Sequence, residues 1–290
     1  MILVTGVTGR VGREVARLLG GVRPLRVLAR DPGRVPVAGG VPEVVVGDYA
    51  DRGSLARALE GVAAAFVVTV PGAGGGEDDA RFAEAARAAG VRHLVKVSAA
   101  AVTDPYADDF ITRWQRGAED VIRSCGVGWT FLRPRSFMSN TLSWASAIRS
   151  QGVVRAVHGT SVNACVDPRD VAEVAVRVLT EDGHQGMAYL LTGPEALSAV
   201  DQTERLSRVL GRCLRFEELG LGQAWELWSA RYPEPVARAL LESAERQLAG
   251  AKAQVGPAVS EVTGRPARPF GVWAADHAAA FALPAAPGGA

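Results

Sequence analysis

The sequence predicts an α/β fold: a doubly wound parallel sheet followed by a smaller, mostly helical C-terminal lobe. Three observations carry this expectation. Short β-rich runs alternate with helical segments through the first half of the chain. Several of those runs are continuously apolar, as strands covered on both faces are. A glycine-rich turn stands directly between the first run and the first helical segment.

Taken in order, the predicted strands are Met1–Thr5, Leu25–Ala29, Glu43–Val46, Val62–Val70, His93–Val97 and Trp129–Leu132. Helices fall between them and carry chemical punctuation. The stretch from Asp51 runs to Gly61, and the next opens on Glu77-Asp78-Asp79, at the positive end of a helix dipole, and closes at Gly90. A helix is expected over Ser136–Ser150. Asp167-Pro168-Arg169-Asp170 reads as an N-cap, a first helical proline and a first-turn acid, for a helix reaching Thr180. A strand at Met187–Thr192 follows, then a helix from Ser198-Ala199-Val200-Asp201 to Gly211. From Leu214 onward the pattern reads as mostly helical and loosely punctuated, and the Pro-Ala-Ala-Pro-Gly-Gly tail as disordered.

The 290 residues hold 48% hydrophobic and 22% charged side chains, ordinary globular values that exclude collagen, coiled coil and general disorder. The 32 basic and 31 acidic residues nearly cancel, which argues against a nucleic-acid partner. Only Lys96 and Lys252 are lysines, so a mechanism needing a catalytic lysine has two candidates. Cys125, Cys165 and Cys213 are spaced for neither a disulfide framework nor a zinc site, so they read as reduced cytosolic thiols. With no long apolar span and no basic leader, the expected location is the cytoplasm, away from any membrane.

The strongest motif is Gly6-x-x-Gly9-x-x-Gly12 after the first strand. The first glycine permits the tight turn, the second lets a pyrophosphate approach the backbone, and the third lets helix and strand pack closely. That context makes the first sheet a Rossmann domain binding a dinucleotide. Gly6, Thr8, Gly9, Arg10, Val11 and Gly12 are its candidate contacts. At the end of the second strand, where an NAD site carries an acid, this chain has Arg30. A guanidinium there, with Arg10 nearby, suits the 2′-phosphate of NADPH; Asp31 could instead mimic the NAD acid. Asp48 fits an adenine-edge acceptor or a cap of the following helix.

Thr5-Gly-Val-Thr-Gly-Arg-Val-Gly, Val91-Arg-His-Leu-Val-Lys-Val-Ser and Gly128-Trp-Thr-Phe-Leu-Arg-Pro-Arg-Ser-Phe-Met together resemble the NmrA-like atypical short-chain dehydrogenase/reductases. Asp167-Pro-Arg-Asp-Val-Ala, Leu191-Thr-Gly-Pro-Glu, Thr263-Gly-Arg-Pro and Phe270–Phe281 continue the likeness over nearly the whole chain. The resemblance implies NADP(H) binding without flavin or metal. It also implies a Rossmann domain over 1–150 and a substrate lobe over 151–290, with 167–193 returning a helix and a strand to the first sheet. Members include quinone, ketone and enone reductases, and redox sensors that bind the dinucleotide without turnover. Thr69, Val70 and Pro71 would line the cofactor ribose, with Gly72–Gly76 beyond them as a mobile loop near the nicotinamide or a plain connector. Pro134 and Phe137 would flank the nicotinamide, although Phe137 and Met138 could equally serve the core.

Ordinary short-chain dehydrogenases use a Tyr-x-x-x-Lys pair as acid. Here none of Tyr49, Tyr106, Tyr189 and Tyr232 has Lys four residues on. Where relatives often carry His or Lys four residues before the helix glutamate, here Glu119, this chain has Gln115. Ser98, ending the fifth strand, matches the serine that binds a substrate carbonyl, or else satisfies local backbone. Tyr106 is a second catalytic candidate if the Thr103–Asp109 loop folds over the nicotinamide. His158, in a polar loop, is the histidine considered near a substrate. The expected protein is an NADPH-dependent reductase of a quinone, ketone or enone, lipophilic or polycyclic. The alternative is a redox sensor acting on a partner protein. Monomer and homodimer both remain open.

Overall fold

The computed structural model describes residues 1–35, 42–71 and 76–282. Most of the Gly72–Gly76 loop and the C-terminal tail fall outside those residues. The described chain forms two compact units, Met1–Pro134 with Pro168–Leu191 and Pro257–Pro266, and Arg135–Asp167 with Thr192–Gly256 and the C-terminal segment from Ala267. The segment 135–150 is thus grouped with the second unit, and 257–266 with the first.

The first unit is built on a parallel sheet in the order β3-β2-β1-β4-β5-β6-β8. Its strands are β1 (Ile2–Val4), β2 (Leu25–Ala29), β3 (Glu43–Val46), β4 (Ala64–Val67), β5 (His93–Val97), β6 (Gly128–Pro134) and β8 (Met187–Leu191). Helices α1 (Arg10–Leu19), α2 (Arg52–Leu59), α3 (Glu77–Ala88), α4 (Phe110–Ser124), α6 (Pro168–Thr180) and α10 (Ala258–Thr263) complete it. Leu3, Leu55, Leu59, Ala65, Val67, Phe82, Leu94, Ile122 and Phe131 form one buried core between strands and helices. The strand predicted to reach Val70 ends at Val67, because the Val68 amide donates to the Thr5 hydroxyl at 2.9 Å.

The second unit holds β7 (Val153–Ala156) and β9 (Arg215–Glu218), paired in parallel, with α5 (Ala145–Gln151), α7 (Ala199–Leu210), α8 (Leu221–Ser229), α9 (Glu234–Leu248), α11 (Phe270–Asp276) and α12 (Ala278–Phe281). Strand β9 departs from the helical reading after Leu214. It is short and charged, and its ladder partner among the described residues lies 62 residues away in sequence. The helix expected over Ser136–Ser150 begins instead as a 3-10 turn, Met138–Trp144. The Thr141 and Ser143 hydroxyls each donate to the carbonyl three residues back, which favours the tighter winding. Ser198 and Asp201 form the capping box the sequence predicts for α7.

His93 gives a stability prediction. The Thr130 hydroxyl donates to the His184 carbonyl at 2.6 Å, so its oxygen accepts from His93 Nε2 at 2.8 Å. Burial, reinforced by His184, pulls the His93 imidazole down to about 4 from its ordinary value. A buried neutral histidine favours the folded state above the unfolded pKa, and that contribution is lost as pH falls towards the folded pKa. Urea unfolding should therefore show about 1–3 kcal/mol of stability lost between about pH 6.5 and pH 4. His93→Gln should flatten this limb; an unchanged pH dependence would sink the assignment.

Candidate functional site

The strand order reverses between β1 and β4, and open α/β sheets bind ligands outside the C-terminal strand ends at such a point. The Gly6–Gly12 loop leaves β1 at this position. Gly6 has φ +65°, and a Cβ there would come 2.9 Å from Val68 Cβ. At Gly12 a Cβ would lie 2.4 Å from the Gly6 carbonyl oxygen, so a larger residue has no place. Gly9 is the N-cap of α1 without a side-chain cap, and the first turn holds no acid. Thr8, Gly9 and Arg10 are exposed and Val11 is half-buried. The Gly9 amide donates to the Gly6 carbonyl at 2.9 Å and closes the turn, and an exposed loop at a helix N-terminus fits a pyrophosphate.

Below the loop, Tyr49 Oη sits 2.8 Å from Thr5 Oγ1 and 2.9 Å from the Val68 carbonyl oxygen. Burial raises this phenol above the ordinary tyrosine range, which suits a strut joining the ends of β1 and β4. Arg30 projects from the end of β2 with its side chain 84% exposed, 3.8 Å from Asp48. Asp31 accepts from the Gly33 amide, and Asp51 rather than Asp48 caps α2. Asp48 instead accepts from the Ala50 amide at 2.9 Å. The sequence thus brings Arg30 and Asp48 together at one edge, with Asp31 turned into a local cap.

Thr69 carries a surprise for sequence reasoning. Its hydroxyl accepts from Lys96 Nζ at 2.8 Å and lies 2.9 Å from Asp79 Oδ1. Lys96 and Asp79 are themselves 3.4 Å apart with fully buried side chains. The ammonium also donates to the Val97 carbonyl and lies 5.2 Å from the Trp114 ring centre. Burial pulls the Lys96 ammonium below its ordinary value, while the Asp79 carboxylate opposes that shift. The Thr69 hydroxyl is therefore committed inside the fold, whereas Val70 next to it is 69% exposed and Pro71 half-buried. Asp79, a helix-dipole acid by its place in the sequence, is the buried partner of this lysine. The one signal for the cluster was a lysine inside an apolar strand.

Ser98 follows β5 and is buried, yet its Oγ has no hydrogen-bond partner among the described residues. Gln115 Oε1 and Trp114 Nε1 in α4 are in the same state. Tyr106 is 89% exposed, its amide donating to Asp104. Glu119 is held by Arg133 at 2.9 Å and by Arg123 at 3.3 Å, a structural ion cluster. Pro134 is buried at the end of β6. In the second unit, Phe137 is half-buried and bridges to Val166, while Met138 joins the core around Trp273. His158 has φ +50°, in the left-handed region, with Nε2 enclosed and without a partner among the described residues.

Residues 6–182 match the NAD(P)H-binding family. A (4-alkanoyl-5-oxo-2,5-dihydrofuran-3-yl)methyl phosphate reductase from Streptomyces griseus is 61% identical over 282 residues, covering 97% of this chain and 99% of the relative. An NAD(P)H azoreductase from Xenophilus azovorans is 38% identical over 285 residues, with 97% and 99% covered. Among solved structures, the NADPH-dependent quinone oxidoreductase QOR2 of Escherichia coli aligns with a TM-score of 0.83 at 24% identity, covering 95% of this chain and 99% of that one. A glycine loop at the switch point and similarity over nearly full length place the chain in the NAD(P)H-binding family, as an oxidoreductase.

Proposed function

We propose that this protein is an NADPH-dependent reductase of a conjugated carbonyl acceptor, an enone or quinone carried on a lipophilic small molecule. The observation that carries the reading is the buried Ser98 hydroxyl at the C-terminal end of β5, which has no partner among the described residues. A buried polar group without a partner costs stability, so it is kept where a ligand supplies the missing bond. The dihydronicotinamide, when bound, supplies the hydride. Ser98 donates to the acceptor oxygen and stabilises the charge that collects there. The glycine loop holds the pyrophosphate, and Arg30 pairs with the 2′-phosphate.

The acceptor class follows from what the chain lacks. With no Tyr-x-x-x-Lys pair, the residue set suits acceptors whose reduced oxygen is stable as an anion and collects its proton from water. Quinones meet that condition. So does the substrate in the name of the Streptomyces griseus relative, whose ring double bond is conjugated to both the lactone and the alkanoyl carbonyl. Addition at its β-carbon leaves an enolate shared by two oxygens. A simple ketone gives a localised alkoxide and is the poorest fit of the three.

The test is loss of NADPH absorbance on adding a 4-alkanoyl butenolide, a naphthoquinone or an aromatic ketone. Turnover of the first two and little of the third is expected; no turnover of any would favour a binding-only redox sensor. Cofactor choice is checked separately. NADPH should bind more tightly than NADH, and Arg30→Asp should narrow the gap by about ten- to a hundredfold, the worth of one charge-assisted contact. Equal wild-type affinities for the two would remove the argument for Arg30.

A further inference from the structure

Three buried polar atoms near the end of β5 have no partner among the described residues: Ser98 Oγ, Gln115 Oε1 and Trp114 Nε1. Their parent residues are 4%, 7% and 8% exposed. The topology explains why they share a neighbourhood. Side chains alternate along a strand, so Lys96 and Ser98 face the same side of β5. Helix α4 covers that side, since Lys96 lies over the Trp114 ring and feels the charge of Glu119. Because β5 and β6 are parallel, α4 between them runs back against the strand direction. Gln115, one turn before Glu119, therefore lies towards the C-terminal end of β5, the end Ser98 follows. Arg116 fixes this arrangement by donating to the carbonyls of Val102, Asp104 and Ala107, in the segment just after Ser98.

Within the reductase reading above, on which this step rests, we infer that Gln115 is a second uncharged contact to the acceptor, its carboxamide and the Ser98 hydroxyl together binding the carbonyl oxygen and the enol or hydroquinone hydroxyl it becomes. The carboxamide offers both a donor and an acceptor, as does the hydroxyl, so the pair matches the oxygen before reduction and after it. Neither group titrates near neutral pH. Nor does either group deliver a proton: the Ser98 hydroxyl and the Gln115 carboxamide N–H donate to the acceptor oxygen, and Gln115 Oε1 accepts from the hydroxyl formed on reduction.

A structural glutamine and a ligand-binding one behave oppositely when replaced by leucine. Gln115→Leu removes a buried group whose oxygen has no protein partner, so the melting temperature should hold or rise. Affinity for 1,4-naphthoquinone, measured calorimetrically on the NADP⁺-loaded protein where no turnover occurs, should fall about tenfold or more. Binding of NADPH should stay within about threefold. Gln115→His should add to the turnover rate a pH dependence centred near the ordinary imidazole value, about 6.5. Unchanged quinone affinity in Gln115→Leu, a fall in melting temperature, or no quinone binding by the wild type would each overturn the proposal. If the wild type binds the quinone through Gln115 but never oxidises NADPH, the reductase reading fails while the Gln115 contact stands.

Discussion

Lys96→Met lowers the unfolding free energy by about 3–5 kcal/mol, because it leaves the Asp79 carboxylate buried without its countercharge. Both side chains are fully buried, and the ammonium also bonds Thr69 and the Val97 carbonyl. The loss should be partly relieved by a second change. Asp79→Asn keeps a polar partner for the Thr69 hydroxyl and removes the uncompensated charge, so Lys96→Met with Asp79→Asn should recover about half of it. Urea unfolding of the two single variants and the double variant gives the coupling directly. A loss under about 1 kcal/mol in Lys96→Met would mean that the cluster is hydrated and contributes little. Because Thr69 is tied to both groups, the same variant should also loosen the end of β4. Weaker dinucleotide binding than the stability loss alone explains is the expected companion result.

Ser98→Ala should cost about a hundredfold in kcat/KM for a conjugated acceptor, the usual worth of one donor aimed at developing charge. No single Tyr→Phe change should cost more than about tenfold, since a positioned general acid is worth 10²–10⁴-fold. Placement supports that contrast. Tyr49 is half-buried with its Oη bonded to Thr5 and Val68, and Tyr189 Oη lies 2.8 Å from His184 Nδ1. Tyr106 stands in solvent. Single-turnover reduction of one accepted substrate by Ser98→Ala and the four tyrosine variants separates the cases. A thousandfold loss in Tyr106→Phe with NADPH affinity intact would show that its loop closes over the site and donates a proton.

The nucleotide half of the site was legible because it is local. Glycines three apart after a strand encode a tight strand-to-helix turn, and Gly12 has no room for a Cβ. Helix ends were legible for the same reason: Ser198, Asp201 and Gly211 punctuate α7 through bonds spanning three or four residues. The strands of the seven-stranded sheet were legible because each alternates with a helix, whereas both strands of the small sheet, Val153–Ala156 and Arg215–Glu218, were missed: each is four residues long and pairs with a partner 62 positions away.

By itself, the sequence determined the parallel α/β architecture, the glycine loop at residues 6–12 and the missing tyrosine–lysine pair, since each is written in neighbouring residues. Only the tertiary structure decided what the isolated polar residues do. Lys96 meets Thr69 across 27 positions, and Arg265 in the Thr263-Gly-Arg-Pro segment reaches back 95 positions to Asp170 and also binds Glu173. Glu119 in α4 meets Arg133 of β6 across 14 positions. Such pairings leave no periodic trace, for a charge or a hydroxyl in the chain looks the same whether it will face water, a buried partner or an awaited ligand.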